Sequence, residues 1–282
     1  MKKVLITVFS IIFLLLALFF IKNFSQNLQS KLAIIKIEGV ISNYTNIVKK
    51  IGIAKNDNSI KAVVILVDSP GGAVGASQEI YRAIEKLREK KPVVVSMGNV
   101  AASGGYYISA PANVIYANPG TITGSIGVII QHININELLN KVGVKMENIK
   151  SGKNKDILYP NNELSPEQKK LLEETIKDVY EQFLDAIVKY RPIKKDELRK
   201  FADGRVFSGR QALKLKLVDK LGNIQDAIDE ARKLAGLEKG SFEVIELKDE
   251  KSFLDELLGS EIKAKLNSLL KTDVGIYYLI SF

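Results

Sequence analysis

The residues best suited to covalent chemistry lie in Ala101-Ala102-Ser103-Gly104-Gly105-Tyr106-Tyr107. An apolar run, Val93 to Met97, precedes them with the composition of a buried strand, and Ile108-Ser109-Ala110 continues the stretch as helix. A serine at such a strand-to-helix turn, flanked by small residues, keeps its hydroxyl uncovered. The first N–H groups of the helix have no partner in a preceding turn and can receive a developing oxyanion. The plainer alternative is that Ser103 caps the helix and the glycines only permit close packing.

A serine hydroxyl is weakly nucleophilic at neutral pH and needs a base. The chain has no cysteine, which excludes a thiol nucleophile, a disulfide framework and thiolate metal sites. Its single histidine, His132, lies in the apolar run Ile129-Ile130-Gln131-His132-Ile133, a setting that reads as a strand or loop position with a satisfied ring nitrogen. One histidine cannot make a multi-histidine metal site. Lysine is then the economical base, provided burial lowers its pKa from about 10.4 toward neutrality; full burial shifts such a group by about 3 to 5 units. Composition does not select which lysine. The segment Ser151-Gly152-Lys153-Asn154-Lys155-Asp156 offers two.

Other chemistries are disfavoured. Pro70-Gly71-Gly72-Ala73-Val74-Gly75-Ala76 lacks the lysine of a phosphate cradle and the full GxGxxG dinucleotide pattern. An oxyanion hole needs only two converging backbone N–H groups, and Gly71-Gly72 with Ser103-Gly104 can supply them. The net charge is +9, yet basic residues are interleaved with acids along the chain, with no basic stripe or nucleic-acid-binding module. No nucleic acid is expected as a partner. Attraction to anionic lipid headgroups fits a basic chain with a membrane anchor.

Several elements must position these residues. Val4 to Ile21, apolar apart from Thr7 and Ser10, would form a helix about 27 Å long, close to the thickness of a bilayer's hydrocarbon core. No small-x-small cleavage site follows it, so an uncleaved signal anchor is expected. Lys2 and Lys3 keep the N-terminus cytoplasmic and put the body of the chain on the extracytoplasmic side of the cell membrane. After a polar spacer come a strand over Leu32 to Ile37, a polar segment, and the unbroken apolar strand Ala62 to Val67, of the kind covered on both faces. A helix is expected from about Val74 to Lys90, which makes strand, glycine loop, helix and strand a βαβ unit. Asn113 to Ala117 reads as a strand, and Thr121 to Val128 as a hydroxyl-rich loop running into another. Asn136 to Val142 reads as a short helix. Ser165, Pro166 and Gln168 start a long helix reaching Tyr190. Further helices are expected over Lys194 to Phe201, Gly209 to Leu215 and Asn223 to Ala235, then a strand over Phe242 to Leu247 and a charged helix-prone stretch to Leu270. The apolar tail Gly275 to Phe282 is unusual for a terminus and is expected to add as a strand to a peptide groove, its own or a neighbour's.

Five segments, in this order and spacing, carry a resemblance: Asp68-Ser69-Pro70-Gly71-Gly72, the stretch around Ser103, Thr123-Gly124-Ser125-Ile126-Gly127, Ser151 to Asp156, and Asp203-Gly204-Arg205-Val206-Phe207-Ser208-Gly209-Arg210. Over Leu32 to Leu237 the chain resembles the signal peptide peptidase A family, membrane-anchored Ser-Lys proteases of the ClpP/crotonase fold, in its short single-copy form. The resemblance implies an α/β fold of repeated β-β-α units, with a protease domain at 32–237 after the anchor at 4–21 and spacer at 22–31, and a C-terminal extension at 238–282. It implies Ser103 as nucleophile, Lys155 as general base, Ser125 as the residue that holds the lysine, and Gly72 and Gly104 in the oxyanion hole. Lys153 is the rival base; the family carries an aromatic residue just before the base lysine, where this chain has Asn154. No metal or cofactor is implied. The implied substrates are cleaved signal peptides and other apolar peptides in the membrane. The implied assembly is a homo-oligomer whose dyad can be completed between subunits. Two other functions compete: a crotonase-like acyl-CoA enzyme using the same fold and oxyanion hole, and a non-catalytic membrane scaffold in which Ser103 is only a cap.

Overall fold

The computed structural model describes residues 30–248 and 276–279; the expected span at 4–21 and most of the charged stretch before residue 270 lie outside the described residues. No helix among the described residues is long and apolar enough to cross a membrane.

The elements run β1 (Ser30–Glu38), α1 (Thr45–Asn56), β2 (Ile60–Ser69), β3 (Gly71–Ala73), α2 (Val74–Arg88), β4 (Val93–Ala102), α3 (Gly104–Ser109), β5 (Val114–Ala117), β6 (Ile122–Gly124), β7 (Ile129–Ile130), α4 (Asn136–Lys141), α5 (Pro166–Val188), α6 (Lys195–Arg199), β8 (Val206–Ser208), α7 (Gly209–Lys214), β9 (Lys220–Leu221), α8 (Ile224–Leu234), β10 (Phe242–Glu246) and β11 (Ile276–Leu279). Six strands lie in the order β10-β1-β2-β4-β5-β9, all parallel. Where β5 stops, β6 takes its place beside the far end of β4, and β8 pairs antiparallel with β6. The protein is therefore a mixed α/β fold on a largely parallel sheet.

Alternation along the strands explains the layers. Ala33, Ile35, Ile37, Val63, Ile65, Val67, Val93, Val95 and Met97 face a large core shared with α1, α2, α3 and α5. Leu32, Ala62, Val64 and Val94 face a smaller one closed by Ala227 and Ala231 of α8. With both faces covered, β2 and β4 have no use for polar alternation, which is why they read as continuous apolar runs.

The helix starts are specified locally. Ser165 Oγ accepts from Gln168 N at 3.2 Å, and Gln168 Oε1 accepts from Ser165 N at 3.1 Å, closing a capping box ahead of α5. Ser208 with Gln211 and Asn223 with Asp226 do the same for α7 and α8. α1 departs from the sequence reading, which left Asn43 to Lys55 as a polar segment. Its N-cap, Tyr44, makes no side-chain cap, and few of its residues are buried, Ile51 and Ala54 among them, so tertiary packing forms a helix that the local signals do not announce.

α2 and the end of α5 are tied through Glu85, whose carboxylate accepts from Lys189 Nζ at 2.6 Å and Tyr190 Oη at 2.7 Å and also meets Arg82. Burial opposes ionisation there, but these donors outweigh it and hold the carboxyl down at about 2. The tie fixes α5 against the helix that follows the glycine loop.

Candidate active site

Ser103 stands at the junction of β4 and α3 with φ 54 and ψ −117, a positive φ in a residue with a side chain. Such a conformation costs about 1–3 kcal/mol and persists only where the surroundings impose it. They do so on both sides: Ser103 N donates to Gly124 O at 2.8 Å, and Ser103 O accepts from Tyr107 N at 2.8 Å. Its side chain makes no capping bond, which removes the plainer role considered for it. The same strand–turn–helix geometry presents the nucleophile of α/β-hydrolases, with the amide of the following residue available to an oxyanion. Ser103 is only 1% exposed.

The glycines around it answer to close approaches. A Cβ on Gly105 would fall 2.6 Å from Ser69 O. On Gly104 it would fall 2.7 Å from Ser77 Oγ and 3.1 Å from Gly72 N, so the two glycine segments converge on one place. Ser69, wholly buried, holds the upstream loop by donating to Gly39 O at 2.6 Å and accepting from Gly71 N at 3.1 Å. Gly72 is paired through an isolated bridge to Ile41, and a Cβ there would meet Ile41 O at 2.1 Å. The backbone thus fits the place where two amides could receive a developing negative charge.

Ser125 is brought to the same end of the sheet. Ala102 and Gly124 are paired neighbours on β4 and β6, so Ser103 and Ser125 are the next residues of adjacent parallel strands. Ser125 also has a positive φ, 48, and its N–H donates to Arg205 O at 2.9 Å. Thr123 Oγ1 donates to Ala101 O at 2.6 Å, locking the two strand ends. This explains the sequence distance between the motifs: Asp68 to Gly72, Ser103, Ser125 and Arg205 come from four segments that the sheet collects at one edge.

Lys155 is placed differently. It is exposed, in a turn closed by Lys155 N donating to Gly152 O at 3.1 Å, and among the described residues its ammonium makes no hydrogen bond or ion pair. The turn is anchored by its neighbour Asp156, which accepts from Lys150 Nζ at 2.6 Å and Asn148 Nδ2 at 3.1 Å. These donors, Lys150 first, hold the Asp156 carboxyl below its usual range. Lys153 is engaged with Glu167 at 2.7 Å. The structure brings Ser103, Ser125, Gly72 and Gly104 together and leaves Lys155 unattached on the surface of the single chain. His132 takes no part: its Nε2 lies 3.1 Å from Tyr159 O, the satisfied ring nitrogen expected of it.

Two features escaped the sequence reading. Ser77 Oγ, wholly buried beside Gly104, has no hydrogen-bond partner among the described residues. Tyr107, Phe183 and Tyr81 form an aromatic cluster, with Tyr107 centred 5.1 Å from Phe183 and 4.9 Å from Tyr81. Burial pushes the Tyr107 phenol up to about 12. The tail strand β11 enters this region, antiparallel to β3 on one side and to β7 on the other. Beside it opens a cleft of about 770 Å³ lined by Val40, Ile129, Ile133, Met146, Leu158 and Pro160, among others. An extended apolar chain fits such a cleft, held by main-chain pairing and by alternate side chains.

The comparisons with known proteins agree with this chemistry. The family model described as peptidase family S49 matches residues 85–238, and that described as Clp protease matches residues 21–120. The chain is 43% identical over 239 residues to a Synechocystis sp. protein named "Putative protease slr0021", covering 84% of this chain and 86% of that one. It is 37% identical to the Enterococcus faecium protein named "Putative signal peptide peptidase SppA", covering 78% of this chain and 64% of that one. To the Arabidopsis thaliana protein named "Serine protease SPPA, chloroplastic" it is also 37% identical, over 68% of this chain and 28% of the plant protein. With a buried serine on a strained turn, and a family match over more than half its length, the chain belongs to peptidase family S49, a family of serine peptidases.

Proposed function

We propose that the protein is a membrane-anchored serine endopeptidase with a Ser-Lys dyad that degrades cleaved signal peptides and other apolar peptides in the membrane. The observation that carries this reading is Ser103 on its strained turn, beside Gly72 and at the edge of a cleft that already holds an extended strand. The ClpP-like arrangement of repeated strand and helix units from residue 32 onward supports the fold side of it.

In the proposed reaction Ser103 Oγ attacks the scissile carbonyl while Lys155, neutral, takes the hydroxyl proton. The carbonyl oxygen gains the negative charge and is received by the amides of the Gly72 and Gly104 segments. Lys155 returns the proton to the leaving amine, the C–N bond breaks, and the acyl-enzyme is hydrolysed by water activated by the same lysine. Ser125, one step along the adjacent strand, orients the lysine. No cofactor is required.

An exposed lysine is protonated at neutral pH and cannot act as a base, so Lys155 must become desolvated in the working enzyme. Ile133, Leu138, Val142, Val144, Met146 and Ile149, all in the same part of the chain as Lys155, are exposed apolar residues that a neighbouring copy would cover. The reading therefore includes a homo-oligomer in which one subunit's Lys155 is buried against another's Ser103. The run Val4 to Ile21 anchors each subunit, with the catalytic domain on the extracytoplasmic side.

The test uses full-length protein in liposomes with a labelled cleaved signal peptide in the same bilayer. The peptide is expected to be degraded at least about tenfold faster than when enzyme and peptide occupy separate vesicles, because sharing a membrane raises effective concentration. Equal rates in the two arrangements would remove membrane anchoring and the membrane-borne substrate from the reading.

A further inference from the structure

Tyr278 is the centre of β11. It pairs with Gly72, with Tyr277 opposite Ala73 and Leu279 opposite Gly71. A Cβ on Gly71 would fall 2.1 Å from Tyr278 O and 2.7 Å from Gly104 N, and a Cβ on Gly104 would fall 3.1 Å from Tyr278 O. The Tyr278 carbonyl therefore sits among the backbone groups of the glycine segments flanking Ser103. A scissile carbonyl would have to approach the same groups.

The side chain enters a built pocket. Its ring stacks on Tyr107 at 5.1 Å, meets Phe183 at 4.6 Å, and is fully buried. Its hydroxyl donates to Val179 O on α5 at 3.2 Å, and burial pushes the phenol pKa upward. A leucine would fill part of this space without reaching the carbonyl; an alanine would leave it empty. Tyr277 and Leu279, the alternate residues, instead line the apolar cleft on the other side. Without β11 nothing joins β3 to β7, so the strand occupies a slot between two otherwise separate edges.

We propose that the Tyr107–Phe183–Val179 pocket is the primary specificity subsite of the peptidase, that it selects a tyrosine side chain in the substrate, and that β11 fills it as a tethered pseudo-substrate. The inference deepens the serine-peptidase reading and rests on it for the direction of chemistry, but the pocket's preference can be measured without turnover. Tyr107 and Phe183 are specificity-determining residues here, and the carbonyl of Val179 is the acceptor that distinguishes tyrosine from phenylalanine. Any peptide substrate must displace the tail, so the tail lowers the apparent affinity for all peptides by one common factor.

The experiment uses two fluorescein-labelled peptides identical except for Tyr or Ala at one position. With wild-type full-length protein, kcat/KM for the Tyr peptide should exceed that for the Ala peptide by about tenfold or more; the common factor from the tail cancels in this ratio. In the full-length Tyr278→Ala variant, fluorescence anisotropy should show the Tyr peptide binding about tenfold tighter than to wild type, because the occupant has lost its anchor. Adding Phe183→Ala should bring the Tyr-to-Ala binding ratio close to one. A wild-type ratio within about twofold, or unchanged binding in a folded Tyr278→Ala protein, overturns the proposal. If Tyr278→Ala does not fold, the wild-type ratio decides alone. Hydrolysis surviving in Ser103→Ala would refute the nucleophile while the Tyr-to-Ala ratio still judged the pocket. If no peptide is cut at all, the anisotropy ratio judges it.

Discussion

Replacing Ser103 by alanine will lower kcat/KM for a peptide substrate by at least about 10⁴-fold and leave the fold intact, as loss of the nucleophile does in serine peptidases. The separation of the two effects follows from how Ser103 is held. Its bonds to Gly124 and Tyr107 run through the backbone, and the hydroxyl caps nothing, so alanine keeps every contact that imposes the turn. Alanine at φ 54 bears the same strain as serine. Circular dichroism and thermal melting of the variant should match wild type while hydrolysis falls to background. A variant retaining more than a tenth of wild-type turnover would mean that Ser103 is not the nucleophile.

Lys155→Ala should cost as much, and here the arrangement of subunits becomes measurable. Each variant alone is expected to be inactive. If every site takes Ser103 from one subunit and Lys155 from its neighbour in a head-to-tail ring, random mixing of the two variants restores about a quarter of wild-type activity, since half of all serine donors and half of all lysine donors are intact. If both groups come from one chain, mixing restores nothing. The exposed, unattached position of Lys155 in the single chain favours the first result. Lys153→Ala should retain most activity, because its ammonium is engaged with Glu167. Loss of activity in Lys153→Ala with retention in Lys155→Ala would exchange their roles.

Much of the scaffold was legible because its signals are local. The βαβ unit from β2 to β4 follows from unbroken apolar runs and a glycine loop, and the capping box at Ser165 fixes the start of α5 through residues three apart. α1 was not legible: Tyr44 caps nothing, and the buried Lys50 interrupts the apolar stripe, so only contact with the sheet and α2 holds that helix. At the site, the residue types at Ser103, Gly72, Gly104 and Ser125 were visible, but the positive φ at the two serines was not, since nothing in a serine announces a conformation usually left to glycine. The tail was legible as an unsatisfied apolar strand. The destination of Tyr278 was not, because its pocket is assembled from α3 and α5, distant in sequence from β11 and from each other. Sequence spacing could place Lys155 in order along the chain, yet its exposure depends on which surfaces meet in the assembly.

The most direct measurement of the central claim is covalent labelling with a serine-directed peptidyl phosphonate, read by intact mass and peptide mapping on wild-type and Lys155→Ala protein. The account predicts a single adduct on Ser103 in the wild type, and labelling slowed by at least about 10²-fold in Lys155→Ala, where the base is missing. An adduct on another residue, no adduct at all, or equal labelling of the two proteins would contradict a Ser103–Lys155 dyad.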